Sequence, residues 1–240
     1  MPILVAVNLS KNYWSGQEPV RAVRAVSLEV QAGEFLAIMG PSGCGKSTLL
    51  HLFGGMDRAS EGQMEFEGQS MAAMKDGQLT SLRRKRIGFV FQFFNLLPSL
   101  TAIENVVLPL RLAGMDSSLA EGKAGSWLER VGMAPRRNHY PHQLSGGEMQ
   151  RVAIARAVVH SPSLILADEP TGNLDSSSGA SILRLLSDLN QKTGITMILA
   201  THSLEVASLS DRVIYIRDGS VERIEQRIDR LSKPHVPEIR

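Results

Sequence analysis

Gly40-Pro41-Ser42-Gly43-Cys44-Gly45-Lys46-Ser47-Thr48 decides the reading of this chain of 240 residues. It matches the pattern G-x-x-x-x-G-K-[ST]. The apolar run Phe35-Leu36-Ala37-Ile38-Met39 before it reads as a buried strand, and Thr48-Leu49-Leu50-His51-Leu52-Phe53 reads as the start of a helix. A phosphate-binding loop needs that strand–loop–helix context. Glycines let the backbone curl and turn N–H groups inward, and the following helix adds the positive end of its dipole. Residues Gly40, Pro41, Ser42, Gly43, Cys44, Gly45 and Thr48 then form the cradle of a nucleoside triphosphate. Lys46 reaches its β- and γ-phosphates, and the Ser47 hydroxyl ligates Mg²⁺.

The whole-chain numbers suit a single large α/β domain or a core with an inserted subdomain. Hydrophobic residues make up 43% and charged residues 21%, ordinary values for a soluble globular protein. No apolar run approaches the roughly 18 residues that span a bilayer, and the start Met1-Pro2-Ile3-Leu4-Val5 has no signal-peptide pattern. Cys44 is the only cysteine, so no internal disulfide forms and a reducing cytosol fits. A net charge of +2 is too mild to argue for nucleic acid. The short basic run Arg83-Arg84-Lys85-Arg86 reads as a solvated helix end.

Along the chain, Ile3 to Val7 reads as a strand and Asn8 to Gly16 as a polar loop. Val23 to Val30 is a further strand, joined to Phe35–Met39 by a turn around Ala32-Gly33-Glu34. Gly54 to Gly62 reads as a loop and Gln63 to Phe66 as a short strand. These short strands predict an antiparallel sheet beside a parallel core. Ile87 to Phe91 is another strand, ending at Gln92. From Phe93 to about Val159 the chain reads mainly as helices, a subdomain inserted into the core. Leu164 to Ala167 returns as a core strand. Ile182, Leu185, Leu186 and Leu189 put one apolar face on a helix from Ala180 to Lys192. Ile195 to Ala200 is a strand that delivers Thr201-His202. Asp218-Gly219 between Arg212–Ile216 and Ser220–Arg223 predicts a hairpin. Residues 224–240 read as a short helix and a frayed tail.

A phosphate loop serves many nucleotide hydrolases; two further stretches narrow the choice. Leu164-Ile165-Leu166-Ala167-Asp168-Glu169 is an apolar strand tipped by two acids. Asp168 suits Mg²⁺, and Glu169 is placed to polarise the attacking water as general base. Without the loop upstream, such a pair reads more readily as a helix cap. Leu144-Ser145-Gly146-Gly147-Glu148-Met149-Gln150 opens a helix running through Arg151-Val152-Ala153-Ile154-Ala155-Arg156-Ala157. Backbone N–H groups and a Ser hydroxyl there make an anion site, although S-G-G alone is better read as ordinary capping by Ser145.

On these motifs, in this order and spacing, the sequence resembles the ATP-binding cassette (ABC) ATPases from about Val5 to Gly219. The resemblance implies a P-loop NTPase of α/β class: a RecA-like core, an antiparallel β-subdomain and an inserted helical subdomain. It implies that Gln92 contacts Mg²⁺ and senses a membrane partner, that Asn173-Leu174-Asp175 is the family's D-loop, and that His202 grips the γ-phosphate. Tyr13 matches the aromatic residue that stacks on adenine, with Trp14 a neighbouring candidate. Also implied is a head-to-tail homodimer in which Ser145, Gly146 and Gly147 of one subunit close on the ATP of the other.

Within that family, Asp168-Glu169-Pro170-Thr171-Gly172-Asn173-Leu174-Asp175 and the run from Phe91 to Val106 resemble the LolD-like, MacB-like and FtsE branch. The branch implies a separate integral membrane permease of FtsX or MacB type, with the ATPase cytoplasmic and peripheral on the inner face of the membrane. Export or extrusion is the leading function. Mechanotransmission to a cell-wall hydrolase is the alternative, and a soluble non-transport ATPase is the third reading. Phe93 to Leu100 is where the branch receives the permease's coupling helix, unless those residues are plain core packing.

Overall fold

The computed structural model describes residues 1–15 and 18–226. Two sheets organise the chain. The first is antiparallel, in the order β2-β1-β4-β5, from β1 (Pro2–Ser15), β2 (Glu18–Gln31), β4 (Glu61–Phe66) and the short β5 (Gln69–Ser70). The second has the order β10-β9-β3-β8-β7-β6. Its β3 (Phe35–Met39), β6 (Ile87–Val90), β7 (Leu164–Asp168), β8 (Thr196–Thr201) and β9 (Arg212–Arg217) run parallel. The edge strand β10 (Ser220–Gln226) returns antiparallel to β9. The helices are α1 (Lys46–Phe53), α2 (Asp76–Arg86), α3 (Ala102–Leu112), α4 (Ser117–Arg130), α5 (Gly146–Val158), α6 (Ser176–Thr193) and α7 (Leu204–Leu209).

Parallel strands covered on both faces read as continuous apolar runs, and their pleat sends alternate side chains to opposite layers. Phe35, Ala37 and Met39 of β3 face the layer built by α3 to α7, together with Ile165, Ala167, Met197, Leu199 and Val213. Leu36 and Ile38 point the other way, with Leu164, Leu166, Ile198, Ala200 and Ile214, onto α1, α2 and the antiparallel sheet. Every residue of β3 and β8 is buried. Helix α6 meets its layer through Ile182, Leu183, Leu186 and Leu189, close to the apolar face read from the sequence, with Leu185 only partly buried.

Four expectations change. The polar stretch from Asn8 onward is no loop: β1 continues to Ser15, because Lys11 to Ser15 pair with Val23 to Glu18 across the hairpin. Asn8 sits at a register shift with φ 50°, where its amide donates to Ser27 Oγ at 2.8 Å. Strand β6 stops at Val90, not Phe91. Between Phe93 and Leu100 the chain is loop rather than helix, and α3 starts only at Ala102, capped by Thr101 and Glu104. Ile224 is not the start of a tail helix, since β10 runs on to Gln226 and pairs Ile224 with Ile214. The rest of the expected tail lies outside the described residues, as does Gly16. The Asp218-Gly219 hairpin stands, with φ 50° and 82° at its turn. The basic run of 83–86 ends α2 with Arg84, Lys85 and Arg86 exposed, as read, whereas Arg83 is half-buried and donates to Gly55 O at 2.6 Å.

Candidate functional site

In an open parallel sheet, ligands sit in the crevice beyond the carboxyl ends of the strands. Here β3 ends into the phosphate loop, β8 into His202, β7 into Asp168-Glu169 and β6 into Gln92. Their register brings these ends level: Met39 pairs with Thr201, and Asp168 with Ala200.

The loop's shape is fixed by close packing as well as by φ. A Cβ on Gly40 would meet Ile216 O at 2.2 Å, and one on Gly45 would meet Ala22 O at 2.1 Å. Gly45 also holds φ 103°, and Gly43 φ 78° with open space around it. Pro41, Ser42, Gly43 and Ser47 are exposed at the loop's mouth, Thr48 is half-buried, and Cys44 is buried beneath. Lys46 is only 7% exposed, and its ammonium donates to Gly40 O at 2.9 Å and Pro41 O at 3.0 Å. A buried ammonium held by two neutral carbonyls is primed for an anion.

Glu169 joins the loop to the other strand ends. Its Oε1 lies 3.9 Å from Lys46 Nζ, and its Oε2 lies 3.0 Å from His202 Nδ1. Its backbone has φ 44°, a region that non-glycine residues occupy at a cost of order 1–3 kcal/mol and that gathers at functional sites. The amide of Glu169 donates to Ala200 O at 2.9 Å, which holds that turn in place. His202 is 71% exposed, free to meet a ligand. Next to Glu169, Asp168 Oδ1 is buried and has no hydrogen-bond partner. An orphaned anionic oxygen is costly unless a cation or ordered water meets it. Asp168 and the exposed Ser47 hydroxyl are therefore a donor set that fits Mg²⁺, which binds through one or two protein oxygens, waters and phosphates.

Gln92 is half-buried and meets Asn173. Its Nε2 donates to Asn173 Oδ1 at 3.3 Å, and Asn173 Nδ2 donates to Gln92 O at 3.1 Å. Ser145 caps α5 and forms a capping box with Glu148. A Cβ on Gly146 would meet Leu174, Asn173 and Phe94, and one on Gly147 would meet Ser178; none of these belongs to the phosphate loop. The Ser145 motif is thus not brought to its own chain's Lys46, unlike Glu169 and His202. Asp175 caps α6, and bonds from Ser178 and Ser177 hold its carboxyl far below the usual range.

Tyr13, near the end of β1, donates its hydroxyl to Asp57 Oδ2 at 2.8 Å, and Lys11 Nζ lies 4.9 Å from its ring centroid. Burial opposes the charge on Asp57, yet bonds from Lys11 and Tyr13 bring its carboxyl below the ordinary range. Trp14, its alternative, points to the other face of the strand and is 73% exposed. Asp57 carried no sequence signal, because its partners lie more than forty residues away. Gln150, Arg156 and Asn105 were also missed as site builders. Asn105 offered only its polarity beside the apolar run Val106 to Leu110, and Gln150, between Met149 and Arg151, offered no hint.

Fold and site together define a P-loop nucleotide hydrolase whose loop is completed from four strand ends. A family model described as ABC transporter matches residues 23–172. The chain is 46% identical over 219 residues to the lipoprotein-releasing system ATP-binding protein LolD of Legionella pneumophila, covering 91% of this chain and 96% of that protein. It is 45% identical to the macrolide export ATP-binding/permease protein MacB of Syntrophobacter fumaroxidans, covering 92% of this chain but 31% of that longer protein. Among solved structures, a dimeric ATP-binding cassette in a post-hydrolysis state with ADP and Pi superimposes with a TM-score of 0.87 at 44% identity, over 93% of this chain and 98% of that one. The chain belongs to the ABC transporter family and is one of its ATP-binding, ATP-hydrolysing cassettes.

Proposed function

We propose that the chain is the ATPase subunit of an export or extrusion system, working as an ATP-closed homodimer on a permease carried by a separate chain. The convergence of Lys46, Glu169 and His202 on the phosphate loop carries the catalytic half of that reading. In it the 40–48 loop binds the phosphates of ATP, Tyr13 stacks on the adenine, and Lys46 moves from its loop carbonyls onto the β- and γ-phosphates. Ser47, Asp168 and Gln92 would hold Mg²⁺, which when bound neutralises the phosphate charge. Glu169 takes the proton of the attacking water. His202, within reach of the Glu169 carboxylate, orients it and contacts the γ-phosphate.

Ser145, Gly146 and Gly147 open a helix whose first residues neighbour Asn173, Leu174 and Ser178 rather than the phosphate loop. Supplying that anion site to a second copy explains why a lone subunit leaves it unused, and the dimeric cassette with ADP and Pi supports this arrangement. Asp175 lies beside the same surface. We take the chain as one cassette, with 93–159 as the segment that bears on the partner.

Among the described residues no helix is long and apolar enough to cross a membrane. A surface feature supports docking on a permease: an open cleft of about 430 Å³ is lined by Phe89, Phe91, Leu108, Leu112 and Met56, with Arg83 and Arg84 at its side. It adjoins the 93–100 loop, where Phe93 is 72% exposed. A roomier cleft of about 720 Å³, beside Gly33, Ser163 and Thr196, lies at the amino ends of the parallel strands and away from the chemistry. We place the subunit at the cytoplasmic face of the membrane, docked through the first cleft. The likeness to LolD and MacB favours export of lipoprotein, peptide or drug; force transmission in the manner of FtsE is the second reading.

The test is an affinity purification of tagged Glu169→Gln protein from detergent-solubilised membranes with ATP, with mass spectrometry of what accompanies it. An integral membrane protein with a large extracytoplasmic domain supports the reading. Recovery of the ATP-bound dimer alone overturns the permease.

A further inference from the structure

The helix that begins at the Ser145 motif also grips both loops of the reactive cluster. Gln150 is fully buried in α5 among apolar neighbours, where an amide is costly unless bonded. Its Nε2 donates to Pro170 O at 2.7 Å and, more weakly, to Phe91 O at 3.5 Å, while its Oε1 has no partner. One carbonyl belongs to the residue after Glu169, the other to the residue before Gln92. Further along α5, the Arg156 guanidinium donates to Phe94 O at 2.8 Å and to Asn95 O. Phe94 and Asn95 hold φ 61° and 49°, a left-handed conformation that two consecutive non-glycine residues rarely keep without outside support. Burial lowers the Arg156 pKa to about 10, so its donors remain charged at neutral pH. Gln92 is therefore flanked on both sides by bonds from one helix, and across its own amide it meets Asn173, four residues beyond Glu169.

We propose that Gln150 and Arg156 are positioning residues: through the carbonyls of Phe91, Pro170, Phe94 and Asn95 they tie the placement of Gln92 and Glu169 to the helix that presents Ser145. The inference rests on the ATPase reading above and adds to it a rigid connection within one subunit. An α-helix transmits a shift of its first turn along its length, and here the side chains of Gln150 in the second turn and Arg156 in the last end on reactive loops. Plain core packing of α5 would predict only lost stability when these residues change.

The experiment compares steady-state phosphate release against ATP concentration in the wild type, Gln150→Met, Arg156→Lys, Gln92→Ala, and each of the first two combined with Gln92→Ala. Each single positioning variant should lower kcat by about tenfold or more and shift KM by less than about threefold. Added to Gln92→Ala, Arg156→Lys should cost less than about threefold further, because its bonds end only on the loop that carries Gln92, whereas Gln150→Met should keep only the part of its loss that runs through Pro170 and Glu169. Equal losses in both backgrounds, or single variants at the wild-type kcat, overturn the proposal. Hydrogen exchange of peptides covering 91–97 tests the tether independently of turnover: exchange should quicken by about fivefold or more in folded Arg156→Lys, and unchanged exchange there overturns it. If the wild type releases no phosphate, the ATPase reading fails while the exchange arm still decides the tether. Should Gln150→Met fail to fold, Gln150→Asn, which keeps the amide but shortens its reach, takes its place.

Discussion

His202 Nδ1 lies 3.0 Å from Glu169 Oε2, although 33 residues separate the two in sequence. Adjacent parallel strands deliver them, β7 ending at Asp168 and β8 at Thr201, so the sheet itself sets the spacing of carboxylate and imidazole. A nucleophilic water between such a carboxylate and the γ-phosphate would be held from two sides.

Replacing Glu169 tests its proposed role as general base directly. Glu169→Gln should bind ATP about as well as the wild type, lose about 10²–10⁴-fold in kcat, and accumulate as an ATP-bound dimer on size exclusion. Phosphate release at the wild-type rate would remove Glu169 from its role.

The unpartnered Asp168 oxygen separates metal binding from stability. Because Oδ1 has no protein partner to lose, Asp168→Asn should leave the midpoint of thermal unfolding within about 2 °C when Mg²⁺ and nucleotide are absent. The same variant should need about tenfold more Mg²⁺ to support turnover. A metal titration that matches the wild type would rule Asp168 out as a ligand.

Two glycines of the phosphate loop should differ in their tolerance of a methyl group. Gly45→Ala combines φ 103° with a 2.1 Å approach to Ala22 O, and should cost about 2–4 kcal/mol in urea unfolding. Gly43→Ala meets open space and should cost only the left-handed backbone penalty, about 1–2 kcal/mol. Equal costs at the two positions would mean that packing against β2 does not shape the loop.

His160 gives a pH signature. Its ring is held mostly out of water, with Nε2 near Ile87 O at 3.2 Å, and burial, aided by the nearby Lys123 charge, pulls its pKa below the usual value of about 6.5. Between the folded and unfolded pKa values the unfolded chain binds the proton more readily, so this contribution is full above about pH 6.5 and is lost as pH falls toward the folded value. Urea unfolding at pH 7 and pH 5 should show the wild type losing more stability than His160→Gln. Identical losses would show that the ring titrates normally.

Much of the site was legible because its motifs are short and contiguous. A glycine-rich loop between an apolar run and a helix, and an apolar strand tipped with Asp168-Glu169, carry their chemistry within a few residues, so local pattern was enough. Gln92 and His202 needed the family's order to be noticed, since a lone Gln or His has no local pattern of its own. Asp57 beside Tyr13, Asn105 holding Leu97 and Leu100, and Gln150 on Pro170 gave no signal of role, because each acts through a partner chosen by folding.

The sequence by itself determined the phosphate loop, the acid-tipped strand, the two-sheet α/β class and the apolar face of α6, all consequences of side-chain size, polarity and periodicity read over a few residues. Tertiary structure decided the rest. It extended β1 through a polar stretch, because pairing with β2 outweighs weak local propensity. It left 93–100 as a loop, because bonds from Asn105 and Arg156 satisfy backbone groups that a helix would otherwise have paired. It set Glu169 between Lys46 and His202, because β8 pairs on one side with β3, more than a hundred residues upstream, and on the other with β7.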